Sequence, residues 1–534
     1  MDNHHLAEWR SLMTSTTGTA RPAGQPSGQQ PSGQQPVGHA PEPRGLAGPA
    51  ARGQHAVAQR PVSAAGIIGR LRGLTTPGRI RALAAVAVAV SIAMGAAIAA
   101  EFGSVSSGIQ LIGFQAAPEV NATTNLYFHL NDMDAQVANV LLVGSVRGLG
   151  LDRQQAQQIY GQDRTAADQA LQRAAVVAGT TTAAQHALRT VLNGLGIYEA
   201  LAAEAMYIDG QGAGTPGRPP AAALALYRQA TDEMRMTVLP AARGLTTANA
   251  AALASAYQSK RSAALSGALW VVLLGLLLLA TLIGLQVYLA RRYRRLLNPA
   301  LAAASVVALV LAIAGGTALA AQAGHLKVAK VDAFDSILAL TQARAVSYDA
   351  NADESRFLVD AGRAGFYQQA FLTKSQELVQ LPGAGIFQYD AALAQAASAY
   401  RANHANVRFG GYLGAEFRNI TFAGERAAAQ KTLAAYQVYE RDDRRIRAMN
   451  ASGDLRGAIA FDTSYAPGNS NWAFGQYDNA LVAVIAINQR AFAAAIHDGQ
   501  RGSSGWTGVI PAVAVLLIVL LVLAGVRPRL AEYS

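Results

Sequence analysis

Residues 268–295 read ALWVVLLGLLLLATLIGLQVYLA, followed at once by RRYRR. The run Ala268–Ala290 carries no charged side chain. At 1.5 Å per residue it is long enough to cross about 30 Å of hydrocarbon as a helix. A buried core helix is usually shorter and keeps a polar stripe, so this run reads as a membrane span. Three more runs have the same character: Ala82–Ala100, Ala300–Ala321 and Thr507–Val526. The first is alanine-rich and only weakly apolar. About 80 residues precede it, too many for a cleaved signal peptide, so it reads as a signal anchor.

The arginines orient these spans. Arg70, Arg72, Arg79 and Arg81 lead into the first; Arg291, Arg292, Arg294 and Arg295 separate the second from the third; Arg527 and Arg529 follow the fourth. The positive-inside rule places both termini and the 291–299 loop in the cytoplasm of a multi-pass plasma-membrane protein. Lys260 and Arg261 argue weakly the other way. Segments 101–266 and 322–506 then face outward.

Composition agrees. Of 534 residues, 51% are hydrophobic and only 14% charged, with mean hydropathy +0.18, no cysteine and a formal net charge of +11. The missing cysteines exclude disulfides, thiolate metal sites and a thiol nucleophile. A basic chain invites a nucleic-acid reading, but the charge is all on one side. Residues 1–81 carry +6, the central loop +4 and the 527–534 tail +1, while the two outward segments together sum to zero. The charge therefore reports orientation and attraction to anionic lipid, and no nucleic acid is expected.

The arm 1–77 is rich in Pro, Gly and Gln, with a tandem repeat in GQPSGQQPSGQQP (24–36); its few apolar side chains predict disorder. No expected cytoplasmic segment is long enough for a kinase, a cyclase or a DNA-binding domain.

Both outward segments read as helices. Leu126, Leu130, Met133, Val137, Leu141 and Gly144 recur at three and four, as do Val331, Phe334, Leu338, Thr341, Ala345, Tyr348 and Ala352. Further helices are expected at about 152–178, 181–209, 221–265 and 423–450, and a closing one carries Phe474, Tyr477, Leu481, Val484, Asn488 and Ala491 on one face. Pro118 is expected to interrupt the first helix and Pro240 to kink the fourth. The fold class is thus an all-α membrane protein: four transmembrane helices and two extracytoplasmic four-helix-bundle-like domains, a duplicated span–bundle–span. Small residues at Gly95 and Gly315-Gly316 allow close helix contacts within one chain or between two copies in a homodimer.

No catalytic constellation emerges, so the chain is not expected to be an enzyme, and no metal or cofactor is called. The histidines form no H-E-x-x-H motif, Gly210-x-Gly212-x-Gly214 lacks a preceding strand, and there is no Walker lysine. Asn131-Asp132-Met133-Asp134 lacks the glycine and distal glutamate of a calcium loop. On a helix Asp132 and Asp134 stand about 200° apart, so they do not form one simple chelate, and one of them is expected to lie inward beside Met133 and Leu130. Glu440–Arg444 and Asp443–Arg447 fall at i,i+4 with the acid first. A solvated helix face is the simpler reading of that cluster, a partner dock the functional one. Asp132, Asp134, Glu440, Asp443, Arg444, Arg447, Trp472 and Tyr477 are the candidates for ligand or partner docking. Arg291, Arg292, Arg294, Arg295, Arg527 and Arg529 are the candidates for contact with lipid or a cytoplasmic partner.

Residues 125–144, and the stretch Gly453-Asp454-Leu455-Arg456-Gly457-Ala458 placed before the last helix, resemble the four-helix-bundle sensor domains of bacterial chemoreceptors and histidine kinases. The four-span topology, with LNDMDAQVAN (130–139) and DAFDSIL (332–338), is similar to a GlnX-like actinobacterial membrane protein family associated with a glutamine-binding lipoprotein and protein kinase G. That resemblance implies a relay of amino-acid availability from an extracytoplasmic solute-binding lipoprotein to a cytoplasmic Ser/Thr kinase. A non-catalytic cell-envelope scaffold is the alternative. Four uninterrupted spans with no charge at mid-membrane disfavour a transporter.

Overall fold

The computed structural model describes residues 75–146, 148–177, 182–212, 215–293 and 298–531. Residues 1–74 of the arm expected to be disordered, together with Arg294 and Arg295, lie outside them. The described helices are α1 (Thr76–Val143), α2 (Arg153–Val177), α3 (Thr182–Gln211), α4 (Ala221–Arg292), α5 (Pro299–Val359), α6 (Ala364–Leu378), α7 (Tyr389–Ala402), α8 (Gly411–Asn419), α9 (Glu425–Ala451), α10 (Leu455–Thr463), α11 (Ser470–Ser503) and α12 (Val509–Leu530). The all-α class holds, with no β-strand element among the described residues.

The spans of α1, α4, α5 and α12 form a stem. α1 packs on α4 and α12, and α5 packs on the same two. Glycines set the spacing: a Cβ at Gly95 would collide with Val515, and one at Gly275 with Ala312. The small residues read from the sequence thus serve contacts within the chain. Ile80, Met94, Val271, Leu278, Leu311 and Ile518 point inward and are buried. Leu269, Trp270, Leu276, Val310, Ile313, Leu516 and Leu520 point outward, with Trp270 60% exposed. An outward belt of large apolar side chains is costly in water at about 25 cal/mol per Å² and suits a bilayer. Among the described residues five helices are long and apolar enough to cross a membrane, one more than the sequence reading counts. The fifth, α11, buries Tyr477, Leu481, Val484 and Asn488, the first three in the main core outside the stem.

Proline at the first turn and an Asn298 cap begin α5; the Asn298 side chain accepts from the Leu301 N–H and donates to the Gly525 carbonyl at 2.8 Å, tying α5 to α12. At the other end of the stem Trp506 stacks on Phe102 with centroids 5.2 Å apart.

Neither proline breaks its helix. Pro118 lacks the N–H that would bond the Phe114 carbonyl, and Phe114 lies in a π turn, Leu111–Ala116. Pro240 stands in the same relation to Met236, inside the π turn Met234–Val238. Each π turn absorbs the misfit locally. A third, Val328–Phe334, sits in α5 without a proline. There Asn419 Nδ2 donates to the Val331 and Asp332 carbonyls at 3.0 and 3.2 Å. Lys327 pairs with Asp332 at 2.9 Å, and Lys330 pairs with Asp335. Both pairs span five residues. That spacing diverges by about 140° on an α-helix and closes only where the helix widens to i→i+5 bonding.

Beyond the stem the two long segments build a head. The sequence predicts one bundle from each. The structure runs a single apolar core through both, from Leu126, Val137, Tyr198 and Tyr227 to Leu340, Phe371, Tyr439 and Leu481. The part of α1 after its π turn packs along the same part of α5. α2, α3 and α4 complete one side; α9, α10 and α11 complete the other, with α6, α7 and α8 as an added layer. The loop before α2 seals the join: the Thr463 hydroxyl donates to the Leu149 carbonyl. Gly150, at φ +101°, lies where a Cβ would come within 2.5 Å of Ser464 Cα.

Candidate functional site

The sequence DANADESR (349–356) places Asp349, Asp353 and Arg356 at steps of four and three, one face of α5. That face meets α1. Arg356, buried, donates to Asp349 Oδ1 at 2.9 Å, Asp353 Oδ1 at 2.6 Å and Asp134 Oδ2 at 2.6 Å. Its Nε lies 3.3 Å from the Tyr227 hydroxyl. Lys374 of α6 completes the group, 2.7 Å from Asp349 Oδ2 and 2.5 Å from Asp353 Oδ2. Thr231 of α4 donates to Asp134. Burial raises the Asp349 carboxyl, but Lys374, Arg356 and Arg235 outweigh it and hold it below the usual carboxylate range. Burial lowers Lys374. Four helices, α1, α4, α5 and α6, are fastened here by paired charges whose desolvation demands every partner.

Against this group opens a cleft of about 440 Å³. Arg235 and Arg243 of α4 line one wall, Lys374 and Glu377 of α6 another, with Tyr127 and Phe366 between. Arg235 belongs to the π turn of α4. Its guanidinium lies 4.8 Å from the Phe366 ring centroid, a cation–π contact, and 3.5 Å from Asp353 Oδ1. Arg243 donates to Glu377 Oε2 at 2.8 Å and stands 5.4 Å from the Tyr127 ring. Both walls belong to helices that lead into the stem, or are packed on ones that do.

Of the residues singled out from the sequence, Asp134 is in the charge group, one helix contact from the cleft. Asp132 points the other way, as the 200° separation requires: Gln136 donates to it at 2.7 Å. Burial raises its carboxyl well above the ordinary value, followed by the effect of Asp163. Asp163 in turn lies 2.8 Å from His129 Nδ1, and burial pushes it up to about 6.

The solvated helix face expected at 440–447 is divided: Glu440, Asp443 and Arg447 are interior, while Arg441, Arg444 and Arg445 stay exposed. Asp443–Arg447 forms as an ion pair at 2.6 Å but is buried. Glu440 is also buried; it takes hydrogen bonds from Ser375 at 2.8 Å and from Tyr436 instead of pairing with Arg444. Arg444 reaches Asp390 at 2.6 Å. Tyr477 is buried 2.8 Å from the Ser347 hydroxyl, while Trp472 is half-buried. None of these lines the cleft.

Glu440, Asp443, Glu354 and Asp462 form a second buried acidic group beside Arg447. Tyr439 donates to Glu354 at 2.9 Å and Ser355 to Asp462 at 3.0 Å. Burial, then the charge of Asp443, raises Glu440 to about 8; burial raises Asp462 to about 7. Arg291, Arg292, Arg527 and Arg529 lie at the loop end of the stem.

Arg235, Arg243, Lys374 and Glu377 are absent from the sequence-based candidates. Lys374, one of five lysines, carried the nearest thing to a signal, a rare cation within an amphipathic helix.

Residues 108–258 match the actinobacterial sensor domain. The stretch runs from just before the first π turn through the α1–α4 side of the head, so it includes Tyr127, Arg235 and Arg243. The α5–α6 wall lies beyond it. The match supports a sensor role. No curated protein and no solved structure matches the chain.

Proposed function

We propose that this protein is a transmembrane relay. Its head senses amino-acid status outside the cell, directly or through a solute-binding lipoprotein docked on it, and its inner ends pass that status to a cytoplasmic partner such as a Ser/Thr protein kinase. The carrying observation is continuity. α4 runs without a break from Arg235 and Arg243 to Arg292, about 72 Å from Arg243 to Arg291 at 1.5 Å per residue. α5 runs likewise from Pro299 to Asp349 and Val359. Two of the four helices fastened at the charge group, α4 and α5, are therefore the two rods that flank the arginine loop. A shift between discrete packings of the head has a rigid path to that loop. The sensor-family match supports the role, the arginine pattern supports an outward head and inward termini, and the reading is non-catalytic.

The chain has no cysteine, so single labels are clean. A membrane-impermeant maleimide should label Gly196→Cys, open on the head surface, in intact cells and leave Ser534→Cys unlabelled. The reverse pattern would overturn the orientation. In nanodiscs, spin labels at Ala290→Cys and Ala300→Cys should change separation when an amino-acid-loaded lipoprotein is added and not with the empty one. An unchanged distance in both cases would favour the scaffold reading.

A further inference from the structure

We propose that the cleft between α4 and α6 binds a small zwitterion directly, with the ligand carboxylate on Arg235 and its ammonium on Glu377. The inference rests on the sensor reading for its purpose, and on the cleft alone for its chemistry.

Charge is the first argument. Asp134, Asp349 and Asp353 are balanced by Arg235, Lys374 and Arg356, and Arg243 is balanced by Glu377. A site whose charges already cancel leaves the net charge of an anionic or cationic ligand without compensation as it loses water. A zwitterion brings two poles and no net charge.

The poles are the second argument. Among the described residues Arg235 pairs only with Asp353, at 3.5 Å, and Arg356 and Lys374 hold the same carboxylate at 2.6 and 2.5 Å. The Arg235 fork therefore keeps unused donors, and its contact with Phe366 fixes its plane. A planar guanidinium held in that way suits a carboxylate. Glu377 is engaged at Oε2 by Arg243 and offers its other oxygen to an ammonium. Asp349 does not compete, because each of its oxygens already has a cation.

Size is the third. About 440 Å³, walled by Phe366, Tyr127 and Leu239, lies within the range of small-ligand pockets. Arg235 and Arg243 are eight residues apart, about 12 Å along α4, so the Arg235 and Glu377 poles are separated by more than the width of glycine. The α-carboxylate and α-ammonium of a single amino acid share one carbon whatever its side chain, so the ligand that spans that gap is a dipeptide or an ω-amino acid, whose poles stand several bonds apart.

The test uses the full chain in nanodiscs, titrated with L-alanyl-L-alanine, γ-aminobutyrate, succinate and putrescine, and read by calorimetry. Saturable binding of at least one zwitterion, at least tenfold tighter than succinate or putrescine, is expected. Arg235→Gln should weaken that binding at least tenfold, while Arg444→Gln, paired with Asp390 away from the cleft, should stay within twofold. Glu377→Gln gives a second readout, since it should move preference from the zwitterion toward succinate; this decides the matter even if Arg235→Gln fails to fold. No saturable zwitterion binding, equal binding of succinate or putrescine, or an unaltered preference in Glu377→Gln would each overturn the proposal. Zwitterion binding with no response at the 290/300 label pair overturns the relay and keeps the site. A label response to the loaded lipoprotein without zwitterion binding does the opposite.

Discussion

Arg356 on α5 donates to Asp134 on α1 at 2.6 Å, joining residues 222 positions apart in the chain. Two membrane spans separate them in sequence, yet this contact fastens the two long segments into one head. Arg356→Met would leave Asp134, Asp349 and Asp353 facing one another with only Lys374 and the more distant Arg235 close by. Breaking a buried ion group from one side costs about 3–5 kcal/mol. Urea unfolding of the full chain in micelles should show a loss of that size. The double variant Arg356→Met, Asp134→Leu should recover part of it, and no recovery would mean the cost is one of packing alone.

The acidic group around Glu440 makes the head sensitive to alkali. Glu440 is raised to about 8 from 4.5 and Asp462 to about 7 from 3.8, in both cases mainly by burial. Each folded carboxyl keeps its proton where the unfolded chain has released it. The stability this contributes is complete below the unfolded values and is lost as pH rises through 7 and 8. Unfolding free energy should fall between pH 5 and 8 by up to about 1.4 kcal/mol per pH unit for each group. Glu440→Gln, which mimics the protonated acid, should flatten the profile; an unchanged slope would sink this account.

Gly150 is required twice, by its φ of +101° and by the nearness of Ser464. Gly148, at φ +83°, has open space around it. Gly150→Ala should therefore destabilise the head by about 1–3 kcal/mol, strain and collision together, and Gly148→Ala by about 1 kcal/mol from its backbone alone. Equal effects at the two sites would show that the contact with Ser464 is unimportant.

In the stem, inward and outward positions should respond oppositely to added bulk. Gly95→Leu drives a side chain into Val515, and Gly275→Leu into Ala312; overpacking of this kind costs about 1–3 kcal/mol. Leu276→Phe, on the exposed belt, should be neutral. The fraction of protein surviving heating in detergent, followed by size exclusion, distinguishes them.

How much of this could be read from the residues alone depends on the range of the interaction. The spans are encoded locally, by runs such as 268–290, and the helices of the head by three-and-four spacing within one segment. Pro118 and Pro240 were visible as defects, but their outcome was not, because a π turn and a break begin from the same missing N–H. The burial of Glu440 and Asp443 was misread for a different reason. Charged residues at i,i+4 look alike on a wet helix and a dry one, and the distinction here is made by Ser375 and Tyr436, the first far off in the chain. The cleft was the least legible feature. Its walls come from α1, α4, α5 and α6, and nothing in the spacing of Arg235 or Lys374 announces that they will meet.

The third π turn has a mechanical meaning. Lys327–Asp332 and Lys330–Asp335 close only while that turn holds its extra residue. Were the turn to tighten into ordinary α-helix, both pairs would part. Asn419 would lose its grip on Val331 and Asp332. The rod above would then be out of step with the rod below by one residue, about 100° of rotation and 1.5 Å of rise. The join between head and membrane is in this sense a counter rather than a spring. It is set by whole residues, and two of the chain's few lysines act as its detent.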